Sequence, residues 1–232
     1  SEMCIRDRNK GEVSMTRLFF VRHGKTEWNL EGRYQGAHGD SPLLPQSLEE
    51  IKQLSEYLKT YRFAKIYSSP IKRALVTAQK IKENLPYNVR LEADAAFSEF
   101  NLGKMEGMKF TEVAEKYPAE LDAFRNHPDK YDPTTIEGES FPELFARMTP
   151  KIRDIVKRYP NDDILIVSHG AALCAEIRYL QGIPLEKIRA KGGLANTSTT
   201  ILQTVDDNQK FKCLVWNKTD YLKRDLDATD VV

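Results

Sequence analysis

The chain has 232 residues, with 35 Lys and Arg against 34 Asp and Glu, for a formal net charge of +1. That balance argues against a surface built for nucleic acid or membrane, since both favour a concentrated basic face, so neither partner is expected. No apolar run reaches the roughly 20 residues of a membrane-spanning helix. Three widely spaced cysteines, Cys4, Cys174 and Cys213, form no disulfide or metal framework, which points to a reducing cytoplasm.

Residues 1–14 are polar and aperiodic. Met15 reads as a natural start, and the segment before it as a non-native extension or a disordered arm, set aside from fold reasoning. Leu18-Phe19-Phe20-Val21 is a continuous apolar run within a strand at 17–22, of the kind buried on both faces of a parallel sheet. After a Gly- and Asp-rich loop, Leu48, Ile51, Leu54 and Leu58 repeat at helical spacing and predict a helix over 48–61. Residues 64–69 read as a short strand ending in Ser68-Ser69. Pro70 opens a helix over 70–84, where a first-turn proline is tolerated. A further short strand is expected at 88–91.

Residues 110–126 form a helical insertion carrying aromatic side chains, followed by a loop over 127–135. Ser140-Phe141-Pro142-Glu143 fits a capping box, starting a helix that runs to about Tyr159 with a kink at Pro150. Ile164-Leu165-Ile166-Val167 belongs to a second buried strand, 163–168, followed by a helix over 171–181. Residues 199–204 and 211–216, separated by Asp206-Asp207-Asn208, read as an antiparallel terminal hairpin. Residues 218–232 are expected to be a loose tail. The strand–helix alternation predicts right-handed crossovers and an α/β fold, a doubly wound, mainly parallel sheet with helices on both faces, in one domain over 15–217.

The two apolar runs end alike, at Arg22-His23-Gly24 and at Ser168-His169-Gly170. Ligands bind at the carboxyl ends of such strands. If both strands lie in one sheet and run the same way, His23 and His169 reach one crevice. Thr26 and Asn29 follow the first strand, and Arg73 sits in the first helical turn after Ser68-Ser69. Two arginines, two histidines, hydroxyl and amide donors and helix N-termini together favour an anion, best a phosphoryl group gripped by arginine forks. A neutral His23 imidazole can attack phosphorus to form a phosphohistidine, its other nitrogen oriented by a backbone hydrogen bond. His169 would stabilise the charge on the transferring group.

A leaving alkoxide needs a proton, and Glu99 in Ser98-Glu99-Phe100-Asn101-Leu102-Gly103 is the candidate donor, with Glu106 and Glu139 as nearby rivals. Desolvation there favours the neutral carboxyl, while neighbouring cations oppose it. His38 and His127 sit in polar loops and read as solvent-exposed. Cys174 reads as a small buried residue. A metal between His23 and His169 lacks the cysteine or carboxylate cluster that would complete its site. The sequons at Asn196 and Asn217 are given no weight.

Arg22-His23-Gly24-Lys25-Thr26-Glu27-Trp28-Asn29 resembles the signature of the histidine phosphatase, or phosphoglycerate mutase-like, superfamily. Ser68-Ser69-Pro70-Ile71-Lys72-Arg73-Ala74, the stretch from Glu99 to Gly107, and Val167-Ser168-His169-Gly170 resemble its other elements, in the same order. The resemblance covers about residues 17–216. It implies a phosphorylated His23 and a Glu99 proton donor. It also implies a phosphate pocket of Arg22, Arg73 and His169 with Asn29 close by, to which Thr26 and Gly170 are added. No metal or organic cofactor is expected, and residues 108–140 would cover the pocket and select the substrate. Phe110, Tyr117, Phe124 and Tyr131 of that insertion either line the pocket or anchor the insertion to the core.

Two features depart from the family pattern. Lys25 stands where an acidic or amide residue is frequent, adding a cation near the pocket mouth or facing solvent. Leu44-Pro45-Gln46-Ser47 replaces a Thr- and Gly-containing helix entry. The expected activity is a metal-independent phosphomonoester hydrolase acting on a small phosphorylated substrate. The alternatives are a phosphoglycerate mutase, which the compact Asn101 to Gly107 stretch disfavours, and a non-catalytic phospholigand-binding module. The oligomeric state is open, a homodimer included.

Overall fold

The computed structural model describes residues 14–231, so nearly all of the expected N-terminal extension, with Cys4, lies outside the described residues. Six strands form one sheet in the order β3-β2-β4-β1-β5-β6. They are β1 (Arg17–Arg22), β2 (Phe63–Ser68), β3 (Leu91–Ala93), β4 (Asp163–Ser168), β5 (Thr199–Val205) and β6 (Lys210–Lys218). β1, β2, β3 and β4 pair in parallel, whereas β5 runs antiparallel to β1 and β6 antiparallel to β5. The turn of the β5–β6 hairpin is made by Asp206, Asp207 and Asn208, all with positive φ, a conformation that Asp and Asn tolerate better than most residues.

Strand side chains alternate between faces, so each strand feeds two cores. Leu18, Phe20, Ile164, Ile166 and Leu202 join one core with α6 (Phe141–Arg158), α7 (Gly170–Leu180) and the insertion. Phe19, Val21, Leu165, Val167 and Ile201 join the other with α2 (Pro45–Leu58) and α3 (Lys72–Asn84). Burial on both faces is why β1 and β4 read as unbroken apolar runs. At the end of β1 and β4 away from their His-Gly pairs, Arg17 and Asp163 are register partners and form a buried bidentate pair, with both N–O distances at 2.7 Å.

Several boundaries move. The first helix after β1 is a short α1 (Glu27–Glu31), which the sequence pattern missed. α2 begins at Pro45 in the first helical turn, three residues before the periodic stretch. α3 begins at Lys72, with Pro70 preceding its cap. The insertion is two helices, α4 (Phe110–Lys116) and α5 (Pro118–Asn126), because Pro118 cannot continue the first and instead starts the second. The loop after it contains two 3-10 turns, Pro128–Lys130 and Thr134–Ile136. The Ser140–Glu143 capping box forms as expected, and α6 continues as one element through Pro150.

The largest correction is the C-terminus. It is not loose: Val231 bridges Ala195, and Asp230 is completely buried. Among the described residues no helix is long and apolar enough to cross a membrane.

Candidate active site

β1 and β4 are adjacent and parallel, with Arg22 in register with Ser168. The residues that follow therefore emerge side by side, and His23 N–H donates to the Ser168 carbonyl at 3.0 Å. The His23 and His169 rings meet edge-to-face with centroids 5.3 Å apart, the shared crevice expected from the two look-alike strand ends. β2 ends one strand over, where Ser69 N–H donates to the Val167 carbonyl and Ser69 Oγ lies 2.8 Å from His169 Nε2.

His23 is held for one task. Its Nδ1 lies 2.7 Å from its neighbour Gly24's carbonyl oxygen. A carbonyl only accepts, so Nδ1 carries the proton and Nε2 keeps its lone pair. Burial, then the Arg73 and Arg22 charges, hold the ring's pKa well below 6.5, against a smaller opposing effect of the Gly24 bond. His169 is likewise held well below 6.5, by burial and then Arg73, His23 and Arg22. It is fully buried with no partner on Nδ1, and it stands beside His23 without lining the cavity.

A narrow cleft opens over these residues, lined by Arg22, His23, Asn29, Arg73, Glu99 and Gly170 among others. Arg22 donates through Nη1 to the carbonyls of Leu194 (2.6 Å) and Asp230 (2.7 Å). Burial lowers its pKa to about 10, with Glu99 opposing. Arg73 donates through Nη1 to Gly39 O and Asp40 Oδ1 and through Nη2 to Gly36 O, so it also fixes the 36–40 loop. The Nε of each arginine is buried without a protein partner. Two guanidinium N–H donors thus remain unspent on the arginines that line a cavity bordered by the N-terminus of α7, an arrangement suited to a phosphoryl group.

Glu99 accepts from the backbone N–H groups of Phe100, Ala171 and Ala172, which hold its carboxyl at the first turn of α7. Its two rivals are occupied elsewhere. Glu106 accepts from Ala37, His38 and Leu102 N–H groups. Glu139 forms a fork with Arg147, and Arg147 donates to the Glu99 carbonyl at 3.2 Å, which supports the acid's backbone.

Two expectations need correction. Thr26 does not line the cleft: it caps α1, accepting from Asn29 N–H and Gln35 Nε2. It acts on the site through Asn29, whose Oδ1 accepts from Thr26 and from Asn196 Nδ2. That leaves the amide's donor end for the cavity. Lys25 neither borders the pocket mouth nor faces solvent; it is 1% exposed and paired with Asp230 at 3.2 Å.

In the insertion, Phe110 and Phe124 line the cleft, whereas Tyr131 packs against Phe124 and Phe141 and Tyr117 rests on the core. His38 and His127 are exposed, and Cys174 is buried. Sequence reasoning passed over Asn196. It is fully buried, its Nδ2 donates to the His23 carbonyl at 3.2 Å, and the next residue, Thr197, has a φ of 64°. No local pattern marks it. Arg33, Tyr34 and Gln35 also line the cleft and carried no signal beyond proximity to α1.

The family model for the histidine phosphatase superfamily (branch 1) matches residues 18–219. The chain belongs to the histidine phosphatase superfamily. This histidine phosphatase is 33% identical over 178 residues to phosphoserine phosphatase 1 of Hydrogenobacter thermophilus, covering 77% of this chain and 82% of that one. It is 32% identical over 174 residues to a 2,3-bisphosphoglycerate-dependent phosphoglycerate mutase of Cytophaga hutchinsonii, covering 74% and 80%. The structure of Bacillus stearothermophilus YhfR superposes with a TM-score of 0.79 at 30% identity, covering 86% of this chain and 96% of that one. The enzyme is a phosphomonoesterase of the histidine phosphatase type.

Proposed function

We propose that this histidine phosphatase hydrolyses a small phosphorylated metabolite through a phosphohistidine on His23. The observation that carries the reading is the fixed tautomer of His23, with Nδ1–H on the Gly24 carbonyl and Nε2 free in a cleft that holds two arginines. In the first step Nε2 attacks phosphorus, the N–P bond forms, and the ester P–O bond breaks. Protonated Glu99 delivers its proton to the leaving oxygen. In the second, Glu99 takes a proton from water, the water oxygen bonds to phosphorus, and the N–P bond breaks to free His23. Arg22 and Arg73 stabilise the charge on the transferring group, with Asn29 and the Gly170 turn completing its cradle, while His169, packed edge-on against His23, holds the nucleophile's ring.

Hydrolysis is favoured over mutase chemistry by the compact acid motif, whose 101–107 stretch contains a single 3-10 turn, Gly103–Met105. Phe110 and Phe124 make the insertion part of the cleft wall, which supports a substrate-selecting role for residues 108–140. The free thiols of Cys174 and Cys213 fit a reducing, cytoplasmic setting. A panel of phosphomonoesters tests the reading, phosphoserine first because a relative carries that name. Release of free phosphate with no isomerised ester is the expected result; net isomerisation of phosphoglycerate would replace hydrolase by mutase.

A further inference from the structure

We propose that Asp230 is a positioning residue for Arg22, and that Lys25 is its internal counter-ion. The C-terminal segment would then be a strap that fixes the phosphate-binding arginine from behind. The proposal rests on the reading of the cleft as a phosphate site.

The Asp230 carbonyl accepts from Arg22 Nη1 at 2.7 Å and from Asn196 N–H at 3.0 Å. Asn196 in turn donates to the His23 carbonyl and to Asn29 Oδ1. One peptide oxygen near the end of the chain therefore joins Arg22 to the loop that carries His23 and Asn29. A backbone carbonyl is only as well placed as its residue, and here the side chain does the placing. Asp230 Oδ1 accepts from Arg224 Nη2 at 2.6 Å and pairs with Lys25 Nζ at 3.2 Å. Its Oδ2 accepts from Arg224 Nη1 at 2.9 Å and from Asp227 N–H at 2.8 Å. Arg224 Nε donates to Glu50, tying the strap to α2.

Lys25 completes the link. It lies two residues after His23, and its Nζ also donates to Thr229 Oγ1 at 2.5 Å and to Asp227 at 3.5 Å. Both Lys25 and Asp230 are almost wholly removed from solvent. A buried charge that loses its partner is costly, so neither residue can be neutralised alone without disturbing the other. This accounts for the departure at Lys25: the cation there answers a carboxylate supplied by the far end of the chain.

The test uses the full-length enzyme and Asp230→Asn, with Asp225→Asn, an exposed acid on the same segment, as control. Inorganic phosphate affinity is measured by titration calorimetry, which needs no turnover, and kcat/KM on the best phosphomonoester is measured well below each variant's Tm. Loosening a charge-assisted grip on phosphate should weaken phosphate binding about tenfold and lower kcat/KM by a similar factor. The control should match the parent enzyme. A lower Tm with unchanged phosphate affinity and kcat/KM would reduce Asp230 to a structural residue and overturn the proposal. Should Asp230→Asn fail to fold, the double variant Lys25→Gln, Asp230→Asn removes the buried cation with its counter-ion and must show the same loss of phosphate affinity. A parent enzyme that binds phosphate but hydrolyses no ester would instead count against the phosphatase reading and leave the strap standing.

Discussion

Adding one methyl group at Gly170 should displace Arg22 and cost activity. A Cβ at this position would stand 2.9 Å from Arg22 Nε, 3.1 Å from its Cζ and 3.2 Å from its Cδ. Restoring ordinary van der Waals separation requires the guanidinium to retreat by about 0.5 Å or more. Arg22 has little freedom to do so, because its Nη1 is pinned by the Leu194 and Asp230 carbonyls and the side chain is 2% exposed. Either those bonds break or Nε leaves the position from which it can donate to a phosphoryl oxygen. A hydrogen bond involving a charged group is worth about 1.5–3 kcal/mol, which translates to roughly 10–100-fold in kcat/KM. Gly170 is the first residue of α7 and has no positive φ, and Ala is the better helix former by up to about 1 kcal/mol. Gly170→Ala should therefore lose activity by that factor, with a modest fall in Tm as the strain on Arg22 outweighs the helix gain. Steady-state kinetics beside a thermal melt check this, and a variant with parental kcat/KM would refute the assignment of Arg22 Nε to the phosphate.

The remaining predictions concern the acid and the histidines. Glu99→Gln should lower kcat by about 10²–10⁴ on an alkyl phosphate, the usual contribution of a general acid. In the first, phosphoryl-transfer step, followed as the pre-steady-state burst of leaving group, it should cost far less on 4-nitrophenyl phosphate, whose leaving group needs no proton; equal losses in that step on both would deny Glu99 the donor role. His23 and His169 have depressed pKa values through burial and the nearby arginines, so in the free enzyme both rings should stay neutral as pH falls through 6.5. Imidazole resonances followed by NMR would show this, and protonation of His23 near 6.5 would contradict it. For the same reason these two residues lend stability that is fully present above pH 6.5. That stability declines as pH falls below it, because the unfolded chain takes up the protons first.

What was legible in the sequence follows from where the physics is local. The unbroken apolar runs of β1 and β4 reported burial on both faces, and their shared endings bring His23 and His169 to one crevice once the two strands pair in parallel. Arg73 was legible because a basic residue at a helix start is unusual unless an anion compensates. Thr26 was half legible: hydroxyls near an anion site look alike, and only geometry shows that this one caps α1 and reaches the cleft through Asn29. Asn196 and Asp230 were not legible. Their partners lie 173 and 208 residues away in sequence, and neither periodicity nor spacing encodes a contact of that kind. The tail looked loose because it is polar, yet Arg224 and Asp230 pair with each other and with Glu50 and Lys25.

The central claim is that phosphate passes through His23. The direct measurement is a rapid acid-free quench of the enzyme with radiolabelled phosphomonoester under single-turnover conditions, followed by peptide mapping. The account predicts acid-labile, alkali-stable label on the peptide containing His23, absent in His23→Ala while that variant keeps its fold. Full turnover by His23→Ala, or label that never appears on His23 in an active enzyme, would contradict it.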